Sequence, residues 1–151
     1  MPETKRIRGQ LRRAYEGQAW HGPSVRELLD GVTAAKAAAR PVPALHTIWE
    51  IVLHITAWEK AALRMLAGEA VDLSPAQDWP PVRDPSEAAW QDTLAALATA
   101  HAALLDTIAN LTDERLDDIV AGRDYSVYFL LHGLTQHALY HAGQIALLKK
   151  I

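Results

Sequence analysis

The sequence predicts an all-α protein folded as a four-helix bundle, and three observations carry that expectation. Alanine and leucine are frequent while alternating β-branched stretches are scarce. Residues that start helices stand ahead of each long run of apolar residues spaced three and four apart. Prolines collect between those runs, where they end helices, and not within them. Four amphipathic helices, each with one apolar face, bury those faces most simply against one another.

The first helix is expected from Thr4 to Gln18, with a break at Trp20-His21-Gly22-Pro23. Helix resumes at Ser24, where Ser24 and Glu27 have the spacing of a capping box. A lesser piece, Thr33 to Arg40, ends before Pro41 and Pro43, because proline disfavours helical geometry in the residue ahead of it. The second long helix starts at Thr47, with Glu50 in the reciprocal capping position, and runs to Leu66 before Gly68 stops it. From Glu69 to Arg83 the chain carries Pro75, Pro80 and Pro81, too many breakers for a helix, so it reads as a long surface connection. A crossover of that length lets the helices it joins run parallel.

The third long helix has Asp84 as its expected N-cap, Pro85 in the first turn and Glu87 three residues after the cap. Its apolar stripe of Trp90, Leu94, Leu97, Leu104, Ile108 and Leu111 also passes through His101. The fourth helix covers Ser126 to Lys149, with Leu130, Leu134, Ala138, Ile145 and Leu148 on its inner face. Lys149 and Lys150 at its end suit the negative pole of the helix dipole. Residues 1–151 are expected to form a single domain.

Composition narrows the function classes. Hydrophobic residues make up 50% of the 151, which is enough for a core. Fifteen basic residues against eighteen acidic ones leave a net charge of -3 with no basic block, which speaks against nucleic-acid binding. The absence of cysteine removes disulfides, thiolate zinc sites and any thiol nucleophile supplied by the chain. No run is long and apolar enough to span a membrane and none follows the basic stretch Met1–Gly9, so a soluble, cytoplasmic protein is expected. Gly-x-Ser-x-Gly, His-Glu-x-x-His and phosphate-cradling glycine motifs are all missing.

Histidine is the residue type that carries a chemical signal. His137 and His141 lie four apart on one helical face, where two ring nitrogens can share one ion. Seven histidines placed at random produce about 0.3 such pairs, so spacing alone decides little. Position adds more: both flank the apolar stripe of the fourth helix, and His54 sits three residues after Ile51 and four before Trp58 on the second. Three imidazoles directed into a bundle interior cost about 1–3 kcal/mol each if left unsatisfied, and one divalent metal relieves all three. The alternative for each is a core histidine bonded to a backbone carbonyl, or one at a solvated edge. Three ligands would leave coordination positions open, with zinc the default and nickel or iron the other candidates for such a set.

Gln144, Tyr140 and Glu50 lie within a turn of these ligands and are candidates to orient one, with Glu50 already engaged in capping. His101 is a candidate to approach the same cavity or to serve as a core residue, and His21 to close over the mouth or to be solvated. His46 and His132 read as structural or surface residues. Trp49, Trp58 and Trp90 read as core and interface residues. The acidic cluster Asp113, Glu114, Asp117 and Asp118 reads as a capping, solvated junction between helices.

Ala14-Tyr15-Glu16-Gly17, Trp20-His21-Gly22-Pro23-Ser24, the stretch from Ile48 to Trp58-Glu59 around His54, and the ending Gln136-His137-Ala138-Leu139-Tyr140-His141-Ala142-Gly143-Gln144-Ile145 together resemble the DinB-like (YfiT-like) superfamily. The resemblance spans nearly the whole chain. It implies an up-down-down-up four-helix bundle, a metal held by His54, His137 and His141, and frequently a homodimer. It also implies enzymes that use a low-molecular-weight thiol such as bacillithiol or mycothiol to transfer or isomerise small-molecule substrates. A metal-water hydrolase is the variant, and a non-catalytic, stress-related protein binding a metal or small molecule is the alternative.

Overall fold

The computed structural model describes residues 1–151, which form helices joined by turns with no β-strand. In chain order the helices are α1 (Glu3–Glu16), α2 (Val25–Leu29), α3 (Ala34–Ala38), α4 (Ile48–Leu66), α5 (Pro75–Asp78), α6 (Glu87–Ala109) and α7 (Val127–Leu148). A 3-10 turn, Asp113–Asp117, lies between α6 and α7.

Local chemistry explains most of the boundaries. Ser24 with Glu27 and Thr47 with Glu50 form the reciprocal boxes that open α2 and α4. Thr33 caps α3, and the Ser126 hydroxyl caps α7 by accepting from Phe129 N. Helix α1 stops at Glu16, two residues short of Gln18, because Gly17 departs at φ 138°. No side chain of its own caps α1. Instead the carboxylate of Asp113 accepts from Glu3 N at 2.8 Å, Thr4 N at 3.0 Å and the Thr4 hydroxyl at 2.9 Å, so the acidic junction does cap a helix, but a distant one.

Two expectations need correction. The N-cap of α6 is Ser86, not Asp84: its hydroxyl accepts from Ala89 N, while the Asp84 carboxylate only holds Ser86 N in a local turn. Glu87 cannot turn back on the cap because its carboxylate accepts from Ala34 N at the start of α3. The Glu69–Arg83 connection is likewise not free of helix. Ser74-Pro75-Ala76-Gln77 starts the single turn α5, with Pro75 at its first position and Gln77 accepting from Ser74 N.

Paired contacts define the topology. Arg8 reaches the Leu105 carbonyl and Tyr15 lies on His101, so α1 and α6 are antiparallel. Trp49 bonds Thr93 and Glu59 bonds His101, so α4 and α6 are parallel, as the long crossover allows. His54 stands beside His141 and Trp58 beside His137, so α4 and α7 are antiparallel. The order is therefore up-down-down-up, with α1 and α4 each packed on both α6 and α7.

The core falls into two apolar clusters. One holds Trp49, Ile55, Trp90, Leu97 and Ile145; the other holds Ile7, Leu11, Leu104, Ile108 and Leu131. Trp90 is wholly buried and satisfies its indole N–H on the Val32 carbonyl at 2.7 Å. Between the clusters runs a waist of polar side chains: His54 and Glu59 from α4, His101 from α6, and His137 and His141 from α7.

Candidate metal centre

The chain places His54 near the middle of α4 and His137 and His141 on one face of α7, and antiparallel packing brings the three rings together. His54 and His141 are buried and His137 is half-buried. The Nε2 atoms of His54 and His137 are 2.9 Å apart, and those of His137 and His141 are 3.1 Å apart. One nitrogen from each ring lies within 4.8 Å of the others.

The outer nitrogens decide what the inner ones can do. His54 Nδ1 is 2.7 Å from the backbone carbonyl of Asp78, which can only accept, so the proton resides on Nδ1 and a lone pair remains on Nε2. His141 Nδ1 faces Gln144 Oε1 at 2.6 Å and is held in the same tautomer. Burial lowers the pKa of all three histidines, and repulsion from His141 and His54 adds to it at His137, which falls to about 3. Neutral rings therefore aim lone pairs at one another, and an N–H on His137 can satisfy only one of them. A cation accepts all three. Donors about 2.0–2.1 Å from one ion in tetrahedral directions stand about 3.3 Å apart, close to the His54–His137 and His137–His141 separations, while the three together span up to 4.8 Å.

Helix α5 builds a wall of this centre, which is the main feature missed by sequence reasoning. The Asp78 carboxylate accepts from Trp58 Nε1 at 2.7 Å and lies 3.1 Å from His54 Nδ1. The next residue, Trp79, stacks on His54 with ring centroids 3.8 Å apart. On its other face it stacks on His46 at 3.5 Å, so His46 is the outer layer of the site and not a bystander. The Ser-Pro-x-Gln pattern of α5 is legible in the sequence; its distance from His54 is not.

The remaining candidates separate clearly. Gln144 orients His141 as expected, and Tyr140 stands beside His141 with its ring largely exposed. Glu50 closes the α4 capping box, pairs with Arg40 at 2.6 Å and bonds none of the three clustered histidines. His101 does not join the centre: it is buried on the α6 side, with Nδ1 2.9 Å from Glu59 Oε1. His21 bonds the Pro23 carbonyl within its own turn and does not line the site. His132 packs against Tyr128. Trp49 and Trp90 are core residues as expected, whereas Trp58 also lines the cavity.

A pocket of about 510 Å³ opens onto the three histidines, bounded by Trp58, Trp79, Tyr125, Phe129, Leu134 and Tyr140. A larger groove of about 860 Å³, between α2 and α6, is distant from this chemistry and contains none of the three histidines. Together the geometry provides a three-nitrogen group that could hold a metal ion, open on one side to a pocket with space for a small molecule.

The family model of the DinB superfamily matches residues 19–145, a span that includes all three histidines, α5 and the pocket walls. No curated protein and no solved structure matches the chain.

Proposed function

The chain belongs to the DinB superfamily, and from that premise we propose that it is a metal-dependent enzyme which transfers a low-molecular-weight thiol, such as bacillithiol or mycothiol, to a small electrophile. One observation carries the reading: three neutral imidazoles direct lone pairs toward one point at the mouth of an open pocket. A divalent cation on His54, His137 and His141, with zinc the first choice and nickel or iron(II) the others, would supply Lewis acidity that favours the thiolate form of a bound thiol.

The chain's own residues perform the positioning. The Asp78 carbonyl and Gln144 keep Nε2 of their histidines unprotonated. Trp79 fixes the plane of the His54 ring, and Trp58 with Leu134 keeps one side of the pocket dry. A hydrolase is the close variant, with water in place of the thiol. The competing proposal is a stress-related helical dimer that holds a metal or small molecule without turnover; the open pocket favours the enzyme.

A homodimer belongs to the same reading. Exposed Leu45, Leu147 and Ile151 border an apolar groove of about 440 Å³ suited to a second copy, and sedimentation equilibrium tests it. Cytoplasmic location is proposed with it; no helix is long and apolar enough to cross a membrane.

The direct test is metal content by inductively coupled plasma mass spectrometry on tag-free protein purified without chelators, followed by turnover assays with both thiols and with esters. Near-stoichiometric metal in the native chain and none in the His54/His137/His141 triple-alanine variant is the expected result. Absence of metal after reconstitution with zinc, nickel and iron would overturn the proposal.

A further inference from the structure

The pocket beside the metal centre has a chemical character of its own. Building on the metal-dependent function proposed for that centre, we infer that the substrate group seated in the pocket, on either the thiol or the electrophile, is planar, apolar and uncharged: an aromatic ring.

The charge of the walls is the first reason. No lysine or arginine lines the pocket, and its one acidic side chain, Asp78, lies beside His54. An anionic group seated on the pocket walls, away from the ion, would find repulsion from Asp78 and no lysine or arginine to pair with. An uncharged one loses nothing by entry.

The second reason is a row of rings with a gap. Phe129, Gly133, His137 and Tyr140 follow one another at spacings of four, four and three along α7, and therefore share a face. Phe129 is 64% exposed and Tyr140 67% exposed, large aromatic surfaces that an occupant would cover. Between Phe129 and the ligand His137 stands Gly133, where an added Cβ would meet no atom within 4 Å. Glycine inside a helix costs about 0.5–1 kcal/mol relative to alanine. Here it leaves a slot one side chain wide that leads from the rim to His137.

The third reason is the opposite wall. Trp58 and Trp79 extend from the far side, with Trp79 already engaged in parallel stacking on His54. A flat ring entering the slot would lie among Phe129, Trp58 and Tyr140, with a donor atom on its edge directed at the three Nε2 atoms. A volume of about 510 Å³ leaves room for such a ring and the rest of a small molecule.

The test compares two thiols on cobalt(II)-loaded protein, read by the thiolate-to-cobalt absorption band: 2-naphthalenethiol, aromatic, and mercaptosuccinate, an aliphatic dianion. The aromatic thiol is expected to bind at least about tenfold more tightly. Gly133→Leu, which raises helix propensity and leaves the metal ligands in place, is expected to retain cobalt and to lose at least about tenfold in affinity for the aromatic thiol. Equal or tighter binding of mercaptosuccinate, or an unchanged affinity in Gly133→Leu, overturns the inference. Calorimetric titration of metal-free protein with 2-naphthol separates the two readings. If cobalt does not bind but naphthol binds the native chain and not Gly133→Leu, the metal reading falls and the aromatic preference stands. If cobalt binds and naphthol does not, the aromatic preference falls alone.

Discussion

Two buried polar groups share the waist of this bundle and differ in how their polar atoms are paired. On the α7 side of α4, His54, His137 and His141 direct three inner nitrogens at one another, with carbonyl oxygens fixing the outer nitrogens of His54 and His141. On the α6 side, Glu59 and His101 form one hydrogen bond of 2.9 Å against the ring of Tyr15, and burial raises the Glu59 pKa while that bond lowers it. A single proton joins the Glu59–His101 pair and leaves Glu59 Oε2 and His101 Nε2 buried without a partner. No single proton can satisfy the trio, whose three lone pairs one metal cation could accept together. The pair is also sealed in the core, whereas the trio faces a pocket. Burial of histidine therefore does not by itself mark a candidate metal site; the partner of the outer nitrogen and the approach of a third ring distinguish the trio from the pair.

The largest effect that would break this contrast comes from the ligands. His137→Ala is expected to lower metal affinity by more than about 100-fold, since even loss of an orienting neighbour costs 10–100-fold. His101→Ala should leave metal stoichiometry intact and lower folding stability by about 3 kcal/mol, because Glu59 loses its partner in the core. Metal content together with urea denaturation of both variants checks this, and loss of metal in His101→Ala would erase the distinction.

Next in size is Gln144→Ala, which frees His141 to adopt the other tautomer. Metal affinity should fall by about tenfold with the fold retained, measured by competition with a chromophoric chelator.

The pH dependence takes its sign from the lowered pKa values. An imidazole with a folded pKa below its unfolded one binds a proton more readily in the unfolded chain, so protonation favours unfolding. Metal-free protein is therefore expected to lose stability as pH falls below 6.5, continuing towards 3, the value reached by His137. Thermal melts from pH 8 to pH 5 should show a falling midpoint in the native chain and a flatter one in the triple-alanine variant. Parallel slopes would remove the electrostatic account of the trio.

Smallest is His46→Ala, which takes away only the outer layer of the Trp79 stack. Its expected cost is about threefold in metal affinity, in line with an aromatic pair worth about 0.5–1.5 kcal/mol. No change would confine Trp79's role to its contact with His54.

Much of the molecule was legible before its three-dimensional arrangement. The boxes at Ser24 and Thr47, the Ser126 start of α7 and the crossover that makes α4 and α6 parallel all follow from contacts within a few residues or from breaker density. The three histidines that cluster were legible too, two from their spacing on one helix and the third from its place between Ile51 and Trp58 together with the family resemblance. The cap of α1 was not, because Asp113 provides it from 109 residues away, and neither was the bond that Glu87, 53 residues away, adds at Ala34 beside the local Thr33 cap of α3.

Local sequence thus determined the helices, their apolar faces and which histidines could point inward, since helical periodicity and capping act over one turn. Only the tertiary structure decided that the single turn α5 folds back so that Asp78 sets the His54 tautomer, that Trp79 stands between His54 and His46, and that His101 pairs with Glu59 on the other side of α4. Those choices depend on which faces meet when four helices pack, and a hydrogen bond or ring stack between distant segments leaves no period in the chain from which to read it.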